Sequence, residues 1–141
     1  MSQPQQPLAA YSGYTHFIVT SPSPLVAHVE INRPAKLNAF YEAMWLELRQ
    51  VFRQLSSDPD VRAVVLSGAG DRAFTAGLDV TAASEGGVLS GGEGLDGARK
   101  AAKVRRYIEE FQGCISAVER CEKRRLNFSD PFFIGVGERV G

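Results

Sequence analysis

The stretch that decides the fold of this chain runs from Arg72 to Asp79 and reads RAFTAGLD. An apolar run at 63–67 and the glycine-containing turn at 68–70 come directly before it, which predicts a buried strand that leads into a loop. Gly77 permits a tight bend, and such a bend can aim successive backbone N–H groups at one point. Preorganised backbone donors of this kind stabilise a developing oxyanion. The stretch therefore predicts a loop that presents main-chain N–H groups to a ligand.

Composition limits the function classes. A chain of 141 residues is about one domain, and 44% hydrophobic with 23% charged residues is typical of a soluble globular protein. Sixteen basic residues balance sixteen acidic ones, so no overall field favours a nucleic-acid partner or a membrane surface. No apolar run approaches the roughly 20 residues that a membrane-spanning helix needs. We expect no nucleic-acid binding and no membrane insertion.

The N-terminus and the two cysteines carry weaker signals. Residues 1–14 are expected to be a flexible lead-in, since Met1–Pro7 is rich in Gln and Pro and has no Lys or Arg. It therefore resembles neither a secretory signal nor an Arg-rich transit peptide. Cys114 and Cys121 are seven residues apart in a helical pattern, about 10 Å along the axis, which is too far for a disulfide. With no CxxC motif and no nearby histidine, we expect free thiols, a reducing compartment and no metal site.

The first elements along the chain are predicted to form a hairpin. Residues 15–20 are rich in β-formers, the segment 21–24 has turn chemistry, and residues 25–31 alternate between apolar and polar. His28 falls on the more polar face and is expected to face solvent. The positions expected to face the core are Leu25, Ala27, Val29 and Ile31.

Two helices follow. Asn38 is a candidate cap for a helix that ends near Ser57, and a second helix is expected from about Asp96. A strand, a helix and a strand in succession predict a crossover unit with a parallel pair, and the glycine-rich segment 84–97 predicts a loop. The expected core positions of the first helix are Met44, Trp45, Leu48, Val51, Phe52 and Leu55. Those of the second helix are Ala101, Val104, Ile108, Phe111, Ile115 and Val118.

Residues 63–79 allow two interpretations. The segment Gly68–Ala73 matches G-x-G-x-x-A after a strand, the pattern of a dinucleotide-binding turn. That motif must also open a helix and be followed by an acidic residue about 20 positions later. Here Phe74–Gly77 is a poor helix start and the later region is glycine-rich, so dinucleotide binding is the weaker alternative.

Three motifs in order resemble the enoyl-CoA hydratase/isomerase (crotonase) family. They are N-R-P-x-K-x-N-A at residues 32–39, V-x-x-V-V-L-S-G-x-G at 61–70 and F-T-A-G-L-D at 74–79. The resemblance extends from about His16 to Lys123. Within that family the chain is most similar to the dienoyl-CoA isomerases. It implies an α/β fold, the N-terminal portion of a crotonase-like ββα spiral. The implied organisation is a partial domain at 15–123 and a divergent tail at 124–141.

The resemblance also implies a site for an acyl-CoA thioester. The backbone N–H of Leu78 would be the first oxyanion donor. Coenzyme A would be part of the substrate, with no separate cofactor. Asp79 either holds the turn or acts in catalysis, and Arg33 either contacts phosphate or belongs to a solvated turn. The implied contacts to the thioester and the adenine end are Ala76, Gly77, Leu78, Asp79 and Val80, and those to the nucleotide are Lys36, Asn38 and Ala39.

The resemblance stops after Lys123. The family would continue with a Pro-led apolar strand, a glycine-rich turn with the second oxyanion donor and, later, acidic catalytic residues. Residues 124–141 read differently, although Pro131–Val136 imitates an apolar strand. We therefore expect an N-terminal fragment of an acyl-CoA-binding family member, most like a dienoyl-CoA isomerase of fatty acid β-oxidation. It is expected to be inactive as written, because the second oxyanion donor and the acidic catalytic residues are absent. The alternative is a non-catalytic module that binds acyl-CoA or forms oligomers with full-length relatives. The resemblance implies a peroxisomal or mitochondrial location, while the absence of a visible targeting signal leaves the cytoplasm open.

Overall fold

A computed structural model of the protein describes residues 6–85 and 94–128. Its five strands are β1 (Gln6–Pro7), β2 (Phe17–Ser23), β3 (Val26–Ile31), β4 (Ala63–Gly68) and β5 (Arg124–Phe128). Its three α-helices are α1 (Glu42–Ser57), α2 (Val80–Glu85) and α3 (Gly97–Arg120), and short 3₁₀ turns lie at Ala9–Tyr11 and Pro34–Lys36.

The strands form one mixed sheet in the order β1-β2-β3-β4-β5. β1, β2 and β3 are antiparallel neighbours, whereas β3, β4 and β5 run parallel. The predicted crossover unit is confirmed, since α1 connects the parallel strands β3 and β4. Because parallel strands end at the same edge of a sheet, the loops after β3 and β4 start side by side. That edge carries the candidate site.

The core lies between the sheet and α1. All six helix positions expected to face the core are buried, and so are Ala27, Val29 and Ile31 on β3. The prediction for Leu25 is wrong: it lies in the hairpin turn with a left-handed φ of 64° and is exposed. The strand starts one residue later than the alternation suggested, so the turn takes Leu25 out of the pattern.

His28 is also not the solvent-facing residue that its isolation suggested. Its side chain is half-buried, and Nε2 lies 2.6 Å from the Ser67 hydroxyl on the neighbouring strand β4. Burial lowers the pKa of His28 below its ordinary value. β3 has neighbours on both sides, so even the side chains on its outer face are partly covered.

The expected flexible N-terminus does not hold for residues 6–14. β1 pairs with β2, and Tyr11 is only 3% exposed. The Tyr11 hydroxyl donates to Asp58 Oδ2 at 2.6 Å, at the end of α1. An aromatic ring that fills a gap between the sheet and α1 anchors a segment whose composition alone suggested a loose chain.

The predicted tail starts with ordered structure. Residues 124–128 form β5, which pairs in parallel with β4 over five positions from Ala63↔Arg124 to Ser67↔Phe128. A strand therefore follows α3, as the resemblance to the family implies. Its sequence, RRLNF, is not the Pro-led apolar sequence that the family would have there. The apolar segment Pro131–Val136 lies outside the described residues.

Helix α3 begins as predicted, because the Asp96 side chain caps it by accepting from the Arg99 N–H at 2.9 Å. It packs on α1 through Trp45, whose ring lies 4.5 Å from that of Phe111. The expected apolar face is only partly correct: Ile108 and Ile115 are 44% and 48% exposed. The buried positions of α3 are Cys114 and Ala117. Contact with α1 selects a face rotated from the one that apolar spacing suggested. Cys114 and Cys121 are free, buried thiols.

Candidate functional site

Two loops meet at the carboxyl edge of β3 and β4. Phe40 donates its N–H to the carbonyl of Gly77 at 2.7 Å and accepts from the N–H of Asp79 at 2.8 Å. These bonds form a single parallel bridge between Phe40 and Leu78. The Ala76 N–H donates to the carbonyl of Leu37 at 2.9 Å. The segments 37–40 and 76–79 are thus held together like two short strands.

A buried asparagine joins the same loops from behind. Asn38 is fully buried, and its Oδ1 accepts from the N–H of Arg33 at 2.9 Å. Its Nδ2 donates to the carbonyls of Ala69 and Ala73 at 3.0 and 2.9 Å. The prediction that Asn38 caps α1 is wrong, since the helix starts at Glu42 with Tyr41 as its cap residue. Asn38 has a left-handed φ of 55° and its side chain is used inside the loop.

The amide of Leu78 differs from its neighbours. Gly77 has a φ of 86° and donates its N–H to the Thr75 hydroxyl at 3.1 Å. The N–H groups of Ala76, Gly77 and Asp79 all have acceptors within the protein, whereas that of Leu78 has none in the part of the chain that the structure describes. Leu78 is 43% exposed. The Leu78 N–H, which the resemblance names as the first oxyanion donor, is therefore left without an internal acceptor among the described residues.

The carboxylate of Asp79 stabilises the turn. Its Oδ1 accepts from the N–H of Ala82 at 3.0 Å, at the first turn of α2, and its Oδ2 lies 2.8 Å from Nη1 of Arg33. The Ala82 N–H and then the Arg33 guanidinium hold the pKa of Asp79 below its ordinary value. Arg33 Nη1 also donates to the carbonyl of Ala39 at 2.8 Å. The turn-holding interpretation of Asp79 is confirmed, and Arg33 belongs to the same internal network.

A cavity of about 420 Å³ opens in front of this loop. The structure brings five of the eight predicted contact residues to its wall, namely Lys36, Ala39, Leu78, Asp79 and Val80. The other three do not line it: Asn38 lies buried behind the wall, and Ala76 and Gly77 are exposed beside it. The remaining wall residues are Arg33, Thr81, Ala82 and Glu85.

Three of these wall residues were missed by the sequence analysis because they lie on the short helix α2. The signal was present, since an aspartate followed by the helix-compatible residues VTAASE is an N-terminal cap pattern. The glycine-rich segment that follows made the whole region resemble a loop.

The dinucleotide alternative lacks the geometry that it needs. Residues 71–79 continue as a loop, so no helix opens after Gly68 and Gly70. A Cβ atom at Gly68 would lie 2.3 Å from the carbonyl oxygen of Phe74. This glycine is therefore required for the close return of the loop over its own strand.

Residues 6–85 and 94–128 also bear on metal binding and membrane insertion. No cluster of three or more His, Cys, Asp or Glu side chains there has the arrangement of a metal site. Nor does that part of the chain contain a helix with the length and apolar character required to cross a bilayer.

Comparison with known proteins identifies the family. A protein-family model described as enoyl-CoA hydratase/isomerase matches residues 23–102. The chain belongs to the enoyl-CoA hydratase/isomerase family. The match contains all three sequence motifs and both loops of the candidate site.

Relatives within the enoyl-CoA hydratase/isomerase family include dienoyl-CoA isomerases. The mitochondrial Delta(3,5)-Delta(2,4)-dienoyl-CoA isomerase of Mus musculus is 43% identical over 111 residues, which are 78% of this chain and 33% of that protein. The peroxisomal enzyme of the same name from Arabidopsis thaliana is 37% identical over 98 residues, 70% of this chain and 34% of that protein. The chain thus spans about a third of the length of these curated relatives.

The fold is shared with solved members of the enoyl-CoA hydratase/isomerase family. An enoyl-CoA hydratase from Bacillus anthracis superposes with a TM-score of 0.63 at 23% identity, and covers 80% of this chain and 39% of that protein. The predicted α/β fold of the crotonase type is confirmed, with the chain forming part of the full-length fold.

Proposed function

We propose that this chain provides the acyl-CoA-binding part of a dienoyl-CoA isomerase site. The observation that supports the proposal is the Leu78 N–H, which is fixed in direction and lacks an internal acceptor among the described residues. It lies at the wall of the 420 Å³ cavity. The identity to dienoyl-CoA isomerases over this same region supports the choice of substrate class.

The chemistry of a thioester fits this donor. When a proton leaves the carbon next to the thioester carbonyl, negative charge develops on the carbonyl oxygen. A preorganised N–H donor at that oxygen contributes roughly 2.7–4 kcal/mol to transition-state stabilisation. The hydrogen bonds of Gly77 and Asp79 hold the peptide planes on both sides of Leu78, so the donor needs little rearrangement on binding.

Three residues of the cavity wall suit a coenzyme A thioester, one of them basic and two apolar. Lys36 is exposed at the rim, where its ammonium group can approach a phosphate. Ala39 contributes a small apolar wall, and Val80 is an exposed apolar side chain next to the donor. In this proposal coenzyme A enters as part of the substrate.

We further propose that the chain binds without measurable turnover when it is alone. Moving a proton along a dienoyl group requires a positioned base and acid. Among the described residues, the carboxylates at the cavity wall are Asp79 and Glu85. Asp79 is engaged by Arg33 and Ala82, and Glu85 lies at the exposed end of α2.

A second candidate function is association with full-length relatives. Ile108 and Ile115 are large apolar side chains exposed on α3. Apolar groups in such positions favour contact with another protein surface. We infer a mitochondrial or peroxisomal location for either function from the locations of the named relatives.

The test uses the full chain with ¹⁵N-labelled leucine and octanoyl-CoA that carries ¹³C at the thioester carbonyl. Binding should shift the Leu78 amide resonance downfield and move the carbonyl carbon resonance downfield. The variant Leu78→Pro removes the N–H, and Leu78→Ala is the matched control that keeps it. We expect the carbonyl shift in the control and its loss in the proline variant.

Two results would contradict the proposal. An unchanged Leu78 amide in the presence of bound octanoyl-CoA would rule out its role as donor. Conversion of a 3,5-dienoyl-CoA by the pure chain, followed by absorbance of the conjugated product, would refute the claim of no turnover. Co-purification with a full-length relative, lost on Ile108→Ser, would support the second candidate.

A further inference from the structure

A series of polar contacts connects helix α1 to the segment 76–79 that contains the Leu78 N–H, called the donor loop below. Glu47 on α1 accepts from the backbone N–H of His16 through Oε1 at 3.0 Å. Its Oε2 lies 2.7 Å from Nδ1 of the same histidine. The other ring nitrogen of His16 is hydrogen-bonded to the Tyr41 hydroxyl. The side chains of His16 and Glu47 are 17% and 12% exposed, so water competes little for these bonds.

The proton positions in the hydrogen bonds among Glu47, His16 and Tyr41 follow from the chemistry of these three side chains. An ionised carboxylate can only accept hydrogen bonds, so Nδ1 of His16 carries a proton that is donated to Glu47. In the neutral ring Nε2 is then an acceptor for the Tyr41 hydroxyl. Glu47 thereby sets the tautomer of His16, and His16 sets the direction of the Tyr41 side chain.

Tyr41 connects these side chains to the candidate site through its contact with Arg33. The guanidinium carbon of Arg33 lies 4.6 Å from the centre of the Tyr41 ring, in a cation–π contact. Arg33 in turn holds the carboxylate of Asp79. Asp79 follows Leu78 directly, and its N–H and carboxylate fix the peptide plane next to the donor.

We propose that His16 and Tyr41 are positioning residues for the Leu78 donor. They keep the Arg33 guanidinium over the Tyr41 ring, so that it meets Asp79 at a fixed distance and the Leu78 N–H keeps its direction. The catalytic meaning of this positioning rests on the proposed function. The effect on the loop itself is a property of the ligand-free chain.

The test compares two tyrosines, each with a part-buried hydroxyl that makes one side-chain hydrogen bond. Tyr41→Phe removes the hydroxyl bond to His16 and keeps the ring below Arg33. Tyr14→Phe is the matched control, since the Tyr14 hydroxyl donates to Gln54 Oε1 at 2.6 Å and is not part of the contacts that reach Arg33. Amide hydrogen exchange and ¹⁵N shifts of Leu78 and Asp79 are measured in the ligand-free full chain.

We expect Tyr41→Phe to raise the exchange rate of the Asp79 N–H about fivefold, the equivalent of one net hydrogen bond, and to shift the Leu78 amide. Tyr14→Phe should change neither, although both variants lose similar stability. Equal effects of the two variants on these amides would overturn the proposal. If Tyr41→Phe does not fold, His16→Gln cuts the same link and carries the same expectation.

The outcomes also separate this proposal from the proposed function. Failure of the wild-type chain to bind octanoyl-CoA counts against the function and leaves the exchange result intact. If the chain binds, Tyr41→Phe should weaken octanoyl-CoA affinity about fivefold relative to Tyr14→Phe. Binding that is unchanged in Tyr41→Phe, together with unchanged exchange, would refute positioning by His16 and Tyr41.

Discussion

Replacing Asn38 should cost this protein a large part of its stability. Asn38→Ala removes an acceptor from the Arg33 N–H and a donor from the carbonyls of Ala69 and Ala73. Each lost bond costs about 1 kcal/mol net, because a buried backbone group is left without its partner. The φ of 55° at this position adds about 1 kcal/mol for alanine, which disfavours left-handed backbone. We expect a loss of roughly 4 kcal/mol in the free energy of unfolding.

The assay is urea denaturation of the full chain, followed by circular dichroism. Asn38→Gly separates the two contributions, since glycine adopts the left-handed region freely and still lacks the side chain. It should lose about 1 kcal/mol less than Asn38→Ala. The matched control is Asn32→Ala at an exposed asparagine in the preceding segment, which should change stability by less than about 0.5 kcal/mol.

A result below about 1 kcal/mol for Asn38→Ala would refute the reasoning. It would mean that water or a rearranged loop replaces the three side-chain bonds. Equal losses for the alanine and glycine variants would instead reject only the contribution assigned to φ. In either case the ¹⁵N shift of Leu78 reports whether the donor loop keeps its conformation.

Two further predictions concern backbone space and pH. Gly68→Ala should destabilise the protein by about 3 kcal/mol or prevent folding, since its Cβ would meet the Phe74 carbonyl at 2.3 Å. A Cβ atom at Gly113 on α3 would have no atom within 4 Å, so Gly113→Ala should stabilise the protein by up to about 1 kcal/mol. Equal thermal midpoints for the Gly68→Ala and Gly113→Ala variants would contradict this pair of predictions. The Tyr11 hydroxyl and the Asp60 N–H lower the pKa of Asp58, so its contribution to stability is present above pH 3.8 and is lost as pH falls further. Burial and Asp58 raise the pKa of Tyr11, so its contribution is lost as pH rises above 10.0. Thermal midpoints of Asp58→Asn should fall less in acid than those of wild type, and parallel curves would refute the assignment.

Local patterns predicted the elements where one physical requirement dominates. The 3.6-residue spacing from Met44 to Leu55 specified the buried face of α1, because a helix packed on a sheet has one side for the core. The aspartate at 96 specified the start of α3 for a similarly local reason. The motif at 74–79 predicted a tight turn at Gly77, which the structure has with a left-handed φ of 86°.

The same reasoning was wrong where a distant segment decides the outcome. Asn38 resembles a helix cap, but its partners at 69 and 73 are more than 30 positions away in sequence. Tyr11 lies in a segment with the composition of a loose lead-in, and only its contact with Asp58 shows why it is ordered. Apolar spacing predicted that Ile108 and Ile115 of α3 face the core, but both are exposed, because α3 packs on Trp45 of α1 through Tyr107 and Phe111.

Motif spacing and hydrophobic period depend on neighbouring residues, and they were enough to predict the family, the α/β order of elements and the loop at 74–79. The tertiary structure supplies the hydrogen-bond partners around the Leu78 N–H, which the resemblance had already named as the donor. The carbonyls of Phe40 and Leu37 and the Thr75 hydroxyl accept from the amides of Asp79, Ala76 and Gly77, whereas the Leu78 N–H has no acceptor among the described residues. Those acceptors come from the loop after β3 and from the turn itself, and only the parallel pairing of β3 with β4 brings the two loops together.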